Sequence, residues 1–142
     1  MSDIYKSVLL DHFHNPRNKG DLDTMSVVHR GSNPRCGDDI EVGIKQDVDG
    51  WLAVRFRGRG CSVCLASASM MGEALTGANL KDAERQVKQM LAWLEGSSDQ
   101  QPSNDTLGAL NVVRNHPARA KCATLAWKAL DSALKETALE TA

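Results

Sequence analysis

Residues 40–61 read IEVGIKQDVDGWLAVRFRGRGC, two alternating runs around an Asp49-Gly50 pair. Ile40, Val42 and Ile44 alternate with polar or small residues, as do Leu52, Val54 and Phe56, the pattern of two half-buried strands joined as a hairpin. Loop length decides the register. A two-residue turn at Asp49-Gly50 sets Ile40, Val42 and Ile44 opposite Arg59, Arg57 and Arg55, which mixes an apolar face with a charged one. A three-residue loop, Val48-Asp49-Gly50 with glycine left-handed, pairs Ile44 with Val54, Val42 with Phe56 and Ile40 with Gly58, and the apolar faces agree. Continued by arithmetic, this register puts Cys61 opposite Gly37, between Cys36 and Asp38. A shift of a residue or two remains open if Gly58 or Gly60 forms a bulge.

Helical patterns surround the hairpin. Ile4, Tyr5, Val8, Leu9 and Phe13 predict an amphipathic helix that stops at Asn15-Pro16. Residues 65–75 are rich in Ala, Met and Leu, with Glu73 the only charge, and predict a largely buried helix. Leu80, Ala83, Val87, Met90, Leu91 and Leu94 predict another, ended by Gly96. Residues 96–105 read as an exposed loop within one domain. Pro117 opens a last helix carrying Cys122, Leu125, Ala126, Ala129, Leu130 and Ala133 on one face. Two strands among helices predict an α+β fold. The 142 residues predict one domain spanning 1–142.

Composition narrows the function classes. Lys plus Arg number 17 against 18 Asp plus Glu, and 42% hydrophobic with 25% charged residues is the balance of a globular protein rather than a disordered or repetitive one. Near-zero net charge argues against broad nucleic-acid binding, and Arg55, Arg57 and Arg59 read as a solvated strand face. No uncharged run approaches the roughly 20 apolar residues of a membrane span. The first residues show no export signal, so a reducing cytoplasm is expected. There, Cys36, Cys61, Cys64 and Cys122 suit metal ligation or sulfur chemistry better than disulfides.

The sharpest reading is one site made of Cys36, Asp38, Cys61 and Cys122, three soft thiolates and one harder oxygen, a donor set that suits zinc. Turn formers support it: Asn33-Pro34-Arg35-Cys36-Gly37-Asp38 and Gly58-Arg59-Gly60-Cys61 both bend the chain beside the same place. The competing reading makes the cysteines small buried hydrophobes and Asp38 a turn residue. Cys61-x-x-Cys64 also admits a redox dithiol or a four-thiolate site, although Cys64 is expected to face the core. His12, His14, His29 and His116 are assigned surface or capping roles.

Several motifs, in order, resemble the SufU branch of the IscU-like proteins of iron–sulfur cluster biogenesis. They are Asp11-His12, Asn15-Pro16-Arg17-Asn18-Lys19-Gly20, Asn33 through Asp38, Gly58 through Ser62, Ala66-Ser67-Ala68-Ser69-Met70-Met71, and Pro117 through Leu130, within residues 4–134. The resemblance implies a compact α+β fold with a small antiparallel sheet, three-stranded if residues 25–30 add a strand. It implies zinc on Cys36, Asp38, Cys61 and Cys122, and a SufS-type cysteine desulfurase that hands over persulfide sulfur for downstream iron–sulfur assembly proteins. Lys121 stands before Cys122, where scaffold-type IscU proteins carry histidine, and residues 96–105 look like the extra segment of the SufU branch. A Leu-Pro-Pro-Val-Lys chaperone motif is missing before Cys122, and the thiol at Cys64 departs from the family pattern.

The function expected is a zinc-dependent sulfur carrier with Cys36 as persulfide acceptor. The desulfurase would supply a replacement ligand, such as histidine, while Asp38 and Lys121 tune charge. The alternatives are a scaffold holding a transient iron–sulfur cluster on the same ligands and a structural zinc module presenting the basic strand. No His-Glu-x-x-His motif supports a zinc hydrolase.

Overall fold

In the computed structural model, which describes residues 2–141, helix α1 (Ser2–His14) is followed by strands β1 (Val27–Asn33), β2 (Asp38–Gln46) and β3 (Leu52–Arg59). Then come α2 (Ser62–Leu75), α3 (Leu80–Leu94), the single turns α4 (Asp105–Gly108) and α5 (Asn111–Arg114), and the long α6 (Pro117–Thr141). The strands form one antiparallel sheet in the order β1-β2-β3. Ile44 pairs with Val54, Val42 with Phe56 and Ile40 with Gly58, the register that matching the apolar faces requires. The Asp47 N–H donates to the Trp51 carbonyl (2.9 Å) and the Gly50 N–H to the Asp47 carbonyl (3.0 Å), closing the three-residue loop with Gly50 at φ 88°.

β1 lies two to three residues further along the chain than residues 25–30. The Met25 N–H donates to the Leu22 carbonyl (3.0 Å), so a turn occupies the first of those residues. The strand then runs to Asn33, opposite Asp38, and so delivers the chain to the next turn at the end of β2.

The helices cover the apolar face of the sheet. Ile40, Val42, Ile44, Leu52, Val54 and Phe56 are buried there together with most of α2 and with Trp127 and Leu130 of α6. Trp93 on α3 and Trp127 are the largest fully buried side chains. Residues 96–105 form the expected loop, which Arg114 pins by donating to the Trp93 carbonyl (2.7 Å) and to Asp99 (2.9 Å). On the outer face of the sheet, Arg55, Arg57 and Arg59 are exposed, and Arg57 pairs with Glu41 (3.1 Å). Among the described residues no helix is long and apolar enough to cross a membrane.

His12 differs from the surface or capping role expected of it. It is buried, with Nδ1 2.7 Å from Ser69 Oγ, and the Arg17 N–H donates to that same oxygen (2.8 Å). On the other side of the ring, Nε2 lies 3.8 Å from the Glu73 carboxylate. Burial, followed by the Arg17 charge, lowers the pKa of His12. The native chain therefore binds fewer protons than the unfolded chain just below the ordinary histidine range, and stability falls as pH drops through that window. Urea unfolding at pH 7.5 and 5.5 should show a lower midpoint at pH 5.5, and His12→Asn should shrink that difference. An unchanged difference in the variant would place the titration elsewhere.

Candidate metal and sulfur site

The three antiparallel strands bring two turns to one end of the sheet. At the first, the Cys36 N–H donates to the Asn33 carbonyl (3.1 Å) and Gly37 sits at φ 70°, which leaves the Cys36 side chain exposed at the apex. Asp38 then opens β2 and is 1% exposed. At the second turn, Cys61 follows β3 and caps α2, its Sγ accepting from the Cys64 N–H at 3.4 Å.

The two turns are tied together directly, because the Cys61 N–H donates to Asp38 Oδ1 at 2.8 Å. That contact depends on Gly60. A Cβ there would lie 2.8 Å from Asp38 Oδ1 and 3.2 Å from Cys64 Sγ, so any side chain would displace the carboxylate. The ladder of β2 and β3 ends at Asp39 opposite Arg59, and beyond it the link between the two turns is the Cys61 N–H bond to the Asp38 side chain.

α6 supplies the third side. Cys122 is buried near its start, with Sγ 3.6 Å from Cys36 Sγ, and the ligand atoms of Cys36, Asp38 and Cys122 all lie within 4.8 Å of one another. Cys61 falls outside that trio by distance but borders it, bonded through its backbone to Asp38 and close enough to Cys122 to act on its thiol. Burial, then Asp38, Cys36 and Cys61, push the Cys122 thiol far above its ordinary pKa. Cys64 lies in the core, as expected, and its thiol is pushed up by burial and then by Asp38, Cys61 and Cys36. Lys121 is exposed and lines a cleft with Leu94, Glu95 and Arg114.

The cluster has the chemistry of a cation site. Among the described residues Asp38 Oδ2 is buried without a hydrogen-bond partner, a rare and costly arrangement that a cation between it and the thiols would relieve. Two or three sulfurs with one carboxylate oxygen suit zinc.

Placement of Cys122 depends on Ser67, to which the sequence alone assigns no role. Ser67 donates its hydroxyl to the Ala123 carbonyl (2.7 Å) and accepts from Trp127 Nε1 (3.0 Å), fastening α6 to α2 beside the cysteines. The visible signal is the Ala-Ser-Ala-Ser run of residues 66–69, where two hydroxyls interrupt an otherwise apolar buried helix; they serve α6 and α1 in turn.

The NifU-like N-terminal domain family matches residues 4–140. The chain belongs to that family. Among the relatives of this NifU-N chain, the zinc-dependent sulfurtransferase SufU of Bacillus subtilis is 42% identical over 129 residues, covering 90% of this chain and 87% of that protein. The iron–sulfur cluster assembly scaffold protein IscU of Streptococcus pyogenes is 34% identical over 141 residues, covering 97% and 87%. The crystal structure of a putative iron–sulfur cluster assembly scaffold protein for the SUF system from Fervidobacterium islandicum superposes with a TM-score of 0.77 at 29% identity, covering 93% and 97%. The three-stranded antiparallel sheet packed against helices is therefore the fold of this family.

Ser67→Ala removes the acceptor of a buried indole N–H. It should cost about 1–3 kcal/mol in urea unfolding, the penalty for an orphaned buried donor. A loss below a few tenths would show that α6 is held otherwise.

Proposed function

We propose that this protein takes up persulfide sulfur at Cys36 and carries it in iron–sulfur cluster assembly, with zinc held by Cys36, Asp38, Cys61 and Cys122. The observation that carries this reading is Asp38, buried, with one oxygen committed to Cys61 and the other facing the thiols without a partner. Likeness to a zinc-dependent sulfurtransferase adds support. The donor in this reading is a SufS-type cysteine desulfurase, the recipients are downstream iron–sulfur assembly proteins, and the setting is the reducing cytoplasm.

Zinc, when bound, supplies the positive charge that keeps clustered thiols deprotonated near neutral pH. The chain's own residues do the rest. Cys36 is the most accessible of the cysteines and stands at a turn apex, whereas Cys122 is held in a helix and Cys61 caps another. Cys36 is therefore the thiolate that can leave the cluster. It attacks the outer sulfur of the donor persulfide; the donor S–S bond breaks, the donor cysteine departs as thiolate, and Cys36 ends as the persulfide. Asp38 keeps its place through the Cys61 N–H. Lys121, one residue before Cys122 and on the exposed side of α6, contributes only its charge to the approach of the donor.

Cys36→Ser should abolish persulfide labelling and stimulation of desulfurase turnover, read by mass spectrometry and sulfide release. Normal persulfidation of another cysteine with undiminished stimulation would overturn the assignment. Asp38→Asn keeps an acceptor for the Cys61 N–H but loses the anionic donor, so zinc affinity should fall by at least the about 10- to 100-fold that losing an outer-shell partner costs, while the metal-free melting temperature changes little. A scaffold role on the same residues, suggested by likeness to IscU proteins, is separated by anaerobic reconstitution. A stable cluster formed from iron and sulfide would favour the scaffold.

A further inference from the structure

Beside the cysteine cluster lies an apolar groove that the sulfur chemistry does not use. It runs between α1 and the corner where α5 meets α6, with a volume of about 390 Å³, within the range of about 300–1,000 Å³ typical of binding clefts. Val63, Val112 and Val113 line it together with Leu10, which remains 53% exposed. The charged part of the lining has one sign. Lys6, His116 and Arg119 are exposed there, no acidic residue joins them, and none of the three makes an ion pair among the described residues. Two helix starts border the groove, α2 at Ser62 and α6 at Pro117, and neither has an acidic residue in its first turn, so both dipoles add to the positive sign. The groove also adjoins the sulfur site: Ser62 follows Cys61 directly, and Arg119 lies about one turn of α6 before Cys122.

We propose that this groove seats a segment of the sulfur-donating partner in which a large apolar side chain is flanked by aspartate or glutamate. This rests on the function proposed above and names the surface that holds the donor. The apolar side chain covers the valines and Leu10, its acidic neighbours meet Lys6 and Arg119, and the body of the donor comes to rest beside the Cys36 turn. Apolar burial supplies affinity, while the charges steer the approach and fix its direction. A small anion is the weaker occupant, because no buried polar side chain lines the groove to orient it. A nucleic acid is weaker too, since no Phe, Tyr or Trp lines the groove for a base to stack on.

The test is isothermal titration calorimetry of the zinc-loaded full chain with the cysteine desulfurase, at low and high salt and without cysteine, so that binding is read apart from sulfur transfer. Leu10→Glu should weaken binding by about tenfold or more, the loss typical of an interface anchor. Lys6→Glu/Arg119→Glu should weaken it too and reduce its salt dependence. Ile4→Glu, on the same helix, at a site 68% exposed but outside the groove, should bind as the wild type does. All variants are compared at equal zinc content and equal circular dichroism, with Leu10→Gln used if the glutamate variant fails to fold. Benzoylphenylalanine in place of Leu10 should photo-crosslink to a desulfurase peptide that is both acidic and apolar. Wild-type affinity in the groove variants, or an equal loss in Ile4→Glu, overturns the proposal and leaves the sulfur-carrier reading intact. Crosslinking to a basic peptide or to a second copy of this chain, or binding of decanoate that Leu10→Glu abolishes while desulfurase affinity is unchanged, also overturns it. If the groove variants lose binding as expected but the wild type gains no persulfide on Cys36 once cysteine is added, the docking surface stands and the carrier reading falls. If the wild type does not bind the desulfurase, both fall.

Discussion

The hydrogen bond from the Cys61 backbone N–H to Asp38 holds the site together. It joins the β1–β2 turn to the β3–α2 junction, two places that the hairpin register only brings near each other. One carboxylate oxygen is spent on that bond, and the other is thereby aimed and left unpaired in a buried setting. Gly60 is what lets the two backbones come that close. Structure and chemistry thus share one residue: Asp38 locks the turn with one oxygen and presents the other as a hard donor beside soft ones.

The same arrangement carries an electrostatic conflict. A carboxylate and several thiols crowd together near the ends of buried elements, and deprotonating them side by side is unfavourable without a counter-charge. In the proposed account a divalent cation resolves the conflict, which couples metal binding to the stability of the two turns. α6 must deliver Cys122 to a place set by the other elements, and the Ser67 bridge to Ala123 and Trp127 does this through directional hydrogen bonds in an otherwise apolar contact. The division of labour follows: Cys122 sits within α6 and Cys61 caps α2, while Cys36 rides the exposed turn.

Much of this was legible because local rules overlapped. In residues 40–61, face matching and loop length are independent constraints that agree on one register, so the approach of Cys61 to Asp38 follows without long-range information. The long helices showed themselves by periodicity. α4 and α5 did not, because a four-residue helix is a single turn and has no period to read; Leu107, Leu110 and Val113 are buried by what lies above them. His12 was misjudged for a related reason, since its partner Ser69 lies 57 residues away and no local pattern announces it. For Lys121, sequence adjacency to Cys122 places it one helical step round α6, about 100° away, which is enough to turn it toward the α3 side.

The central claim, that Asp38 and the three cysteines Cys36, Cys61 and Cys122 grip a single zinc ion, is tested most directly by X-ray absorption at the zinc K-edge of the loaded protein. The account predicts three sulfur neighbours at about 2.3 Å and one oxygen at about 2.0 Å. A first shell of four sulfurs would remove Asp38 from the site, and a shell of oxygens and nitrogens alone would contradict the account altogether.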